Sequence, residues 1–512
     1  MKTLLHVCVL APLASVLASC AGPAASVGPA HADLPTYAPG ADDDAVRATP
    51  RRERPPEGSE ARPAPFPTVK THTLKNGLAV AILEAHTLPI VHLRVVVRAG
   101  AGYAPKQPGL AQLTADMLKD GGTRSLSSAD LLRKVESFGG DVWVDVDKDK
   151  TTLALRATTT HFSEALAILG EMTQAPRFDE GELAKLKART SDDAEDALRG
   201  NGEFVARYVM FHELFPDSSP YAVHGALPRD IAKLTPAAVR DFHRRFFVPT
   251  NTTVIVAGDI TADLATAAVD KVFAGFAGGT APKVDFPAPT LPAKRKVIVA
   301  HRPKSTQSEV FVVGLAPART SPEWPSVRVC DQVFGGGSDA RLFADVREQR
   351  SLAYSTYSDI VGLAHGQQPF YAYAGTQTDK TADAVSALLE NEEKLAASGT
   401  TDEEAQGARR YLGDVFALRM DTVGKIASLT ADLAGAGLPY DYWDTYRTAL
   451  RATTAASASR AAATLYHADT ALIVVAGDAD VIASKLTRFG EVTVVDPEHQ
   501  FASIRTLASE QK

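Results

Sequence analysis

The stretch Asn251-Thr252-Thr253-Val254-Ile255-Val256-Ala257-Gly258-Asp259 returns near the end of the chain as Asp469-Thr470-Ala471-Leu472-Ile473-Val474-Val475-Ala476-Gly477-Asp478. Each run is continuously apolar between polar ends, which is the pattern of a strand buried on both faces. Gly258 and Gly477 are 219 residues apart, and Gly121 and Gly335, each stopping an apolar helical pattern, are 214 apart. Two echoes at nearly one offset predict a duplicated α/β domain of about 210–220 residues.

The elements around the two runs repeat in the same order. Asn76-Gly77 is a hairpin-type turn between two strand segments. It is followed by a valine-rich strand over 90–98, helices over 109–118 and 127–138, strands over 141–147 and 151–158, and a long helical region. A Gly/Pro/Ala-rich break at 275–292 separates this half from a second one. There, strands over 296–300 and 309–315, a helix over 326–334, two further strands and helices over 381–397 and 402–433 are expected. The predicted organisation is a first domain at 68–274, a linker at 275–293, a second domain at 294–500 and a tail at 501–512.

Composition bounds the rest. The 512 residues exceed what one hydrophobic core organises, and 45% apolar with 22% charged residues is ordinary for a globular protein. A net charge of −7 gives no electrostatic case for a nucleic-acid partner. Cys8, Cys20 and Cys330 show no metal, redox or disulfide spacing. Lys2 followed by an apolar run from Leu4 to Leu17 reads as a secretory signal over 1–19, too short to span a bilayer. It ends in Leu17-Ala18-Ser19-Cys20, which resembles the bacterial lipobox and implies lipidation at Cys20. By resemblance to the lipoprotein sorting rules of bacteria with two membranes, the absence of Asp at Ala21 implies the outer membrane, with the body expected on the periplasmic face and lipid as its only membrane contact. Residues 20–67 form the expected tether, since 21–67 hold ten of the 31 prolines and little apolar periodicity.

The duplicated halves, the Asn76-Gly77-Leu78 opening and Val248-Pro249-Thr250-Asn251 leading into Val256-Ala257-Gly258-Asp259 resemble the insulinase/pitrilysin and mitochondrial-processing-peptidase family of metallopeptidases, over about residues 68–495. The resemblance implies an α+β fold: two homologous α/β halves, each an antiparallel sheet packed with helices, forming a clam-shell chamber. It also implies H-x-x-E-H on a helix of the first half. Two histidines four apart share one zinc from one helical face, with the glutamate as general base. The matching helix here is Gly109-Leu110-Ala111-Gln112-Leu113-Thr114-Ala115-Asp116-Met117-Leu118, so Gln112 and Asp116 stand for the histidines and Ala115 for the base. The family's downstream glutamate falls near Asp192 or Asp193. Gln112 is a poor zinc ligand and Ala115 moves no proton, so no cofactor is expected in this chain. A hard cation at Asp116 and Asp193, or an autonomous peptidase built on Gln112, Asp116 and Asp193, are the remaining metal readings. His72, His86, His92, His161, His212 and His243 show no ligand spacing. Trp143-Val144 stands where the family often has Asn-Ala on a substrate-pairing strand, a departure that weakens peptide binding by this half.

The second half keeps the family's C-terminal signature in Asp339-Ala340-Arg341-Leu342-Phe343 through Leu352-Ala353-Tyr354-Ser355, with Arg347 and Tyr354 seven residues apart. The resemblance implies that this pair stabilises the substrate carbonyl as its oxyanion forms, a task suited to a guanidinium and a phenol. Arg350 is a competing arginine at the wrong separation. A chain without zinc ligands that keeps Arg347 and Tyr354 is expected to be the non-catalytic subunit of a heterodimeric zinc metallopeptidase. Its partners would be a zinc-bearing H-x-x-E-H subunit and peptide. The alternative is a structural pseudo-peptidase, a scaffold or peptide-binding protein without turnover.

Overall fold

Two sheets carry the molecule, and their strand orders repeat. The structure, a computed structural model, describes residues 64–510. The signal segment, Cys20 and most of the expected tether lie outside the described residues. In the first half, β1 (Lys70–Thr73), β2 (Ala79–Glu84), β3 (Ile90–Val97), β4 (Asp141–Val146), β5 (Thr151–Thr158) and β6 (Thr252–Gly258) form a sheet of order β1-β2-β6-β3-β5-β4. In the second, β7 (Lys296–His301), β8 (Gln307–Ala316), β9 (Ala353–Ile360), β10 (Gln368–Gln377), β11 (Leu472–Gly477), β12 (Glu491–Asp496) and β13 (Ala502–Leu507) take the order β13-β12-β7-β11-β8-β10-β9. The cores β2-β6-β3-β5-β4 and β7-β11-β8-β10-β9 are one topology used twice. The sheets are mixed, not purely antiparallel. In each half the chain returns from a long helical excursion and inserts its last core strand parallel to the first, as β6 beside β2 and β11 beside β7. β12 adds a further parallel pairing to β7.

The helices repeat as well. The first half has α1 (Leu110–Asp120), α2 (Ser128–Ser137), α3 (Phe162–Gln174), α4 (Glu180–Gly200), α5 (Gly202–Leu214), α6 (Pro228–Lys233), α7 (Pro236–Phe246) and α8 (Ala262–Phe273). The second has α9 (Trp324–Gly335), α10 (Thr381–Ser398), α11 (Asp402–Arg419), α12 (Val423–Ala436), α13 (Tyr442–Ala452), α14 (Ala455–Leu465) and α15 (Ala479–Leu486). The Ser127 hydroxyl accepts the Asp130 N–H and starts α2, as a serine cap does.

Alternation along the central strands decides what each helix covers. Val254 and Val256 of β6 join Val91, Leu93 and Val95 of β3 in a core with the first half's own helices. Ile255 and Ala257, on the other face, pack against Ala427 and Ala431 of α12, a helix of the second half. The second sheet does the reciprocal. Ile473 and Val475 face their own helices, while Val474 and Ala476 pack against Val205, Ala206 and Val209 of α5 from the first half. Each half therefore lends one helix to the other's sheet, and the central strands are apolar on both faces because both are covered. Gly258 sits where β6 meets β3. Its φ is +137° and a Cβ there would lie 2.1 Å from the Ile90 carbonyl oxygen, so no side chain fits.

Three boundaries differ from the sequence reading. The expected tail from 501 holds β13, which pairs antiparallel with β12 and covers the edge of the second sheet. The single helix expected over 402–433 is two, because α11 stops at Arg419 and the Thr422 hydroxyl caps α12 by accepting the Lys425 N–H. Residues 64–67, placed in the tether, pack on the second half: Phe66 is buried with Phe416, Leu429, Leu433 and Trp443, and its N–H donates to Asp444.

Two tests follow from this packing. Ala427→Leu inserts bulk where α12 meets the first sheet and should cost about 1–3 kcal/mol, read as a lower unfolding midpoint. Glu392 of α10 is buried, and burial holds its carboxyl at about 8 against the pull of Arg295. Its folded value lies above its unfolded one, so its contribution is complete below about pH 4.5 and is lost as pH rises through 8. The slope in that window is about 1.4 kcal/mol per pH unit. Glu392→Gln should flatten that slope in urea unfolding curves measured across the window.

Candidate functional site

On α1, Gln112 and Asp116 stand one turn apart on a half-buried face, while Ala115 between them is fully buried. The Gln112 amide donates from Nε2 to Asp116 Oδ1 at 3.0 Å. Burial raises the Asp116 carboxyl above its usual range, and the Gln112 hydrogen bond pulls the other way. These groups satisfy each other. A neutral amide, a carboxylate already holding it and an alanine at the base position do not fit a catalytic zinc. A hard cation is no better served, since Asp116 is engaged by Gln112 and Asp193 stands on the exposed face of α4. Among the described residues, the metal-type grouping is His301 with Asp478 and Asp480 at the start of α15. Those side chains are occupied with local structure: His301 Nδ1 accepts the Ala479 N–H at 3.1 Å, Asp478 accepts the Lys304 N–H, and Asp480 holds Arg505 at 2.8 Å.

Gln112 and Asp193 line a common cavity of ≈ 530 Å³ at the junction of the halves, whereas Asp192 and Asp116 do not line it. Its wall includes one face of α5 (Phe204, Arg207 and Phe211), the β4–β5 turn and, from the second half, Val361 to Leu363. The turn Asp147-Lys148-Asp149-Lys150 is drawn in by specific bonds. Asp149 accepts the Tyr221 hydroxyl at 2.5 Å and the Ala364 N–H at 2.9 Å, and the His365 N–H donates to the same Tyr221 oxygen at 3.0 Å. Lys148 donates to the Val223 carbonyl and lies 3.7 Å from the centre of the Phe211 ring. Burial pushes its ammonium down to about 7, with Asp149 and then Asp147 opposing the shift. The sequence reading missed Lys148, because a lysine in an Asp-Lys-Asp-Lys turn reads as a solvated one.

Arg347 and Tyr354 come together elsewhere. Residues 343–349 form a π-helical turn, closed by the Arg350 N–H on the Asp345 carbonyl at 2.9 Å. Ser351 takes a left-handed φ of +50°, which reverses the chain into β9 and returns Tyr354 to the turn. The Arg347 guanidinium lies 4.3 Å from the Tyr354 ring centre and 4.6 Å from that of Phe343, another residue the sequence reading passed over. No hydrogen bond or ion pair engages Arg347 among the described residues. Tyr354 is 81% exposed. Arg350, the competing arginine, is committed to Asp345 and to Glu390 at 2.7 Å. Neither Arg347 nor Tyr354 lines the junction cavity; Tyr354 is the second residue of β9, and Val361 of the cavity wall follows its other end, roughly 20 Å along the strand.

The comparisons with known proteins agree with this architecture. The family model described as insulinase (peptidase family M16) matches residues 79–205, and that described as the peptidase M16 inactive domain matches residues 233–412. An uncharacterized zinc protease of Streptomyces coelicolor is 27% identical over 376 residues, covering 70% of this chain and 79% of that protein. The non-peptidase homolog YmxG of Helicobacter pylori is 23% identical over 380 residues, covering 73% and 86%. Among solved structures, a peptidase M16 inactive domain from Pseudomonas fluorescens superposes with a TM-score of 0.74 at 24% identity, over 80% of this chain and 98% of that one. With two models of one family matched in order along the two halves, the protein belongs to the insulinase family, peptidase family M16.

Proposed function

We propose that this chain is the non-catalytic subunit of a heterodimeric zinc metallopeptidase. It pairs with an H-x-x-E-H homologue that carries the zinc, closes the chamber around peptide, and supplies Arg347 and Tyr354 to the transition state. The observation that carries the reading is the Arg347 stack. A guanidinium resting on two aromatic rings and engaged by no hydrogen bond or ion pair among the described residues has its N–H groups free, and it needs little reordering to meet developing negative charge. A tyrosine left 81% exposed gains nothing from core packing and is available to another molecule. The pair also lies away from this chain's own Gln112, which favours a role in trans. The body would be held at the periplasmic face by lipid on Cys20; among the described residues no helix is long and apolar enough to cross a membrane.

The second reading, a scaffold or peptide-binding pseudo-peptidase without turnover, has its support in the relative named a non-peptidase homolog. Peptidase assays on fluorogenic peptides separate the two. The chain alone should be silent and its mixture with the zinc-bearing homologue active. Arg347→Ala should lower turnover of the mixture by about 10²–10³-fold while the complex survives gel filtration, and Tyr354→Phe should also impair it. A silent mixture, or activity indifferent to both substitutions, leaves the scaffold. A second test concerns the lost site. Gln112→His with Asp116→His should gain zinc by metal analysis, since the two positions already touch. Adding Ala115→Glu should then cost about 1–3 kcal/mol of stability, because that position is packed shut.

A further inference from the structure

The two sheets differ by one strand, and the difference lies at one edge. Beside its first core strand, β2, the first sheet has β1; beside the equivalent β7 the second sheet has β12 and then β13. Among the described residues nothing pairs with the outer edge of β1. That edge is open for hydrogen bonding. The Leu74 N–H donates to the Leu78 carbonyl at 2.9 Å, so by antiparallel alternation His72 and Lys70 bond to β2, while the N–H and C=O groups of Thr71 and Thr73 point away from it. All four residues of β1 are exposed, and an edge strand of this kind is a template for another. Beyond the edge lies a groove of ≈ 650 Å³ between β1 and α8, with Asp263, Thr266, Ala267 and Asp270 along its helical wall.

The second half shows what fills the equivalent place. Glu84 ends β2 and accepts the Ala262 N–H at 2.6 Å; His301 ends β7 and accepts the Ala479 N–H at 3.1 Å. Those matched bonds make α8 and α15 start alike, so Asp263 is the counterpart of Asp480. Asp480 holds Arg505 of β13 at 2.8 Å, and the same guanidinium donates to the Ala479 carbonyl at 3.3 Å. Asp263 has no such partner: no hydrogen bond or ion pair engages it among the described residues. Lys70, the lysine of β1, is taken by Glu84 at 2.8 Å.

We propose that the first sheet takes a seventh strand from another protein, an extended segment that pairs with the outer edge of β1 and sets an arginine on Asp263. Main-chain bonds to Thr71 and Thr73 supply the pairing. The carboxylate chooses the register, because a guanidinium displaced by one residue along a strand points to the other face. The β13 of a second copy is not free to do this, since one edge is paired with β12 and Arg505 is already held by Asp480. The place lies at the opposite edge of the first sheet from β4, and Tyr354 belongs to the other sheet.

The test is fluorescence anisotropy with the full chain, without partner subunit or zinc, so its outcome is independent of whether the subunit reading survives. The probe is a dye-labelled synthetic peptide with the sequence of residues 500–508, which contains the segment that fills the equivalent place in the second half. It should bind saturably. Replacing its arginine by glutamine, or Asp263→Asn in the chain, should each weaken binding about three- to tenfold, and the two together no more than either alone. Thr71→Pro removes an outward N–H without touching the ladder to β2, so it should abolish binding while thermal unfolding stays unchanged. In the unaltered chain, N-methylation of alternate peptide nitrogens should abolish binding for one of the two alternate sets and not the other, which attraction by charge alone would not do. Absence of binding, indifference to Asp263→Asn, or equal binding of the two N-methylated peptides would each overturn the proposal. Binding seen only after residues 21–60 are removed would also overturn it, since the chain's own segment would then be the occupant.

Discussion

The fold depends on an exchange. Neither sheet is covered by its own half alone: α12 closes the first sheet, with Ala427 and Ala431 against it, and α5 closes the second, with Val205, Ala206 and Val209 beside larger side chains. Burial of apolar area on both faces of β6 and β11 is what makes the two halves one body. A duplicated chain that kept its helices at home would leave two apolar sheet faces in water, each an invitation to aggregate. The exchange also fixes where everything else can be. The junction cavity exists because α5 leaves the first half to reach the second sheet, and Phe204, Arg207 and Phe211 travel with it.

The misfit of α1 to a zinc lies in packing as well as in residue type. Gln112 and Asp116 keep the geometry two histidines would need, one turn apart on one face, but spend it on each other. Ala115 is fully buried, so a carboxylate at that position would not reach water. The Arg347 end has moved in the other direction. Phe343, the π-helical turn and the left-handed Ser351 together hold an unpaired guanidinium at the surface, and Arg350 keeps the turn in place through Asp345 and Glu390. Order of that kind around an unengaged donor is hard to explain by stability alone.

The duplication was legible because β6 and β11 are apolar throughout and the helix stops recur at one offset. What such strands face was not legible, since a residue covered by its own half's helix and one covered by the other half's look alike in sequence. β13 escaped notice because Ala502–Leu507 is an exposed edge strand whose only structural warrant is its pairing with β12. The break at Met420–Thr422 was hidden by helix-forming residues on both sides, and it is α12's docking on the first sheet that makes the two helices separate. At the site, helical spacing was enough to find Gln112 and Asp116, and motif order enough to find Arg347 and Tyr354. Lys148 depends on contacts that cross more than two hundred residues, from Asp149 to Ala364, and local sequence carries no trace of them.

The Arg347–Tyr354 pair and the junction cavity sit at opposite ends of β9, and that placement bears on what one chain can do. A strand holds its ends apart rigidly, so no side-chain rotation brings Tyr354 to the face of α1 that carries Gln112. Hinging the halves would not help unless it tore α5 and α12 from the sheets they cover, and the apolar area buried there opposes that motion. Within a single molecule, then, the stacked arginine and the degenerate metal position are structurally independent. On the proposed subunit reading the arginine acts on another molecule, so its place does not depend on what α1 carries. The proposed division of labour between two subunits asks for that independence, since it needs Gln112 and Asp116 to be free to hold each other while Arg347 stays unengaged.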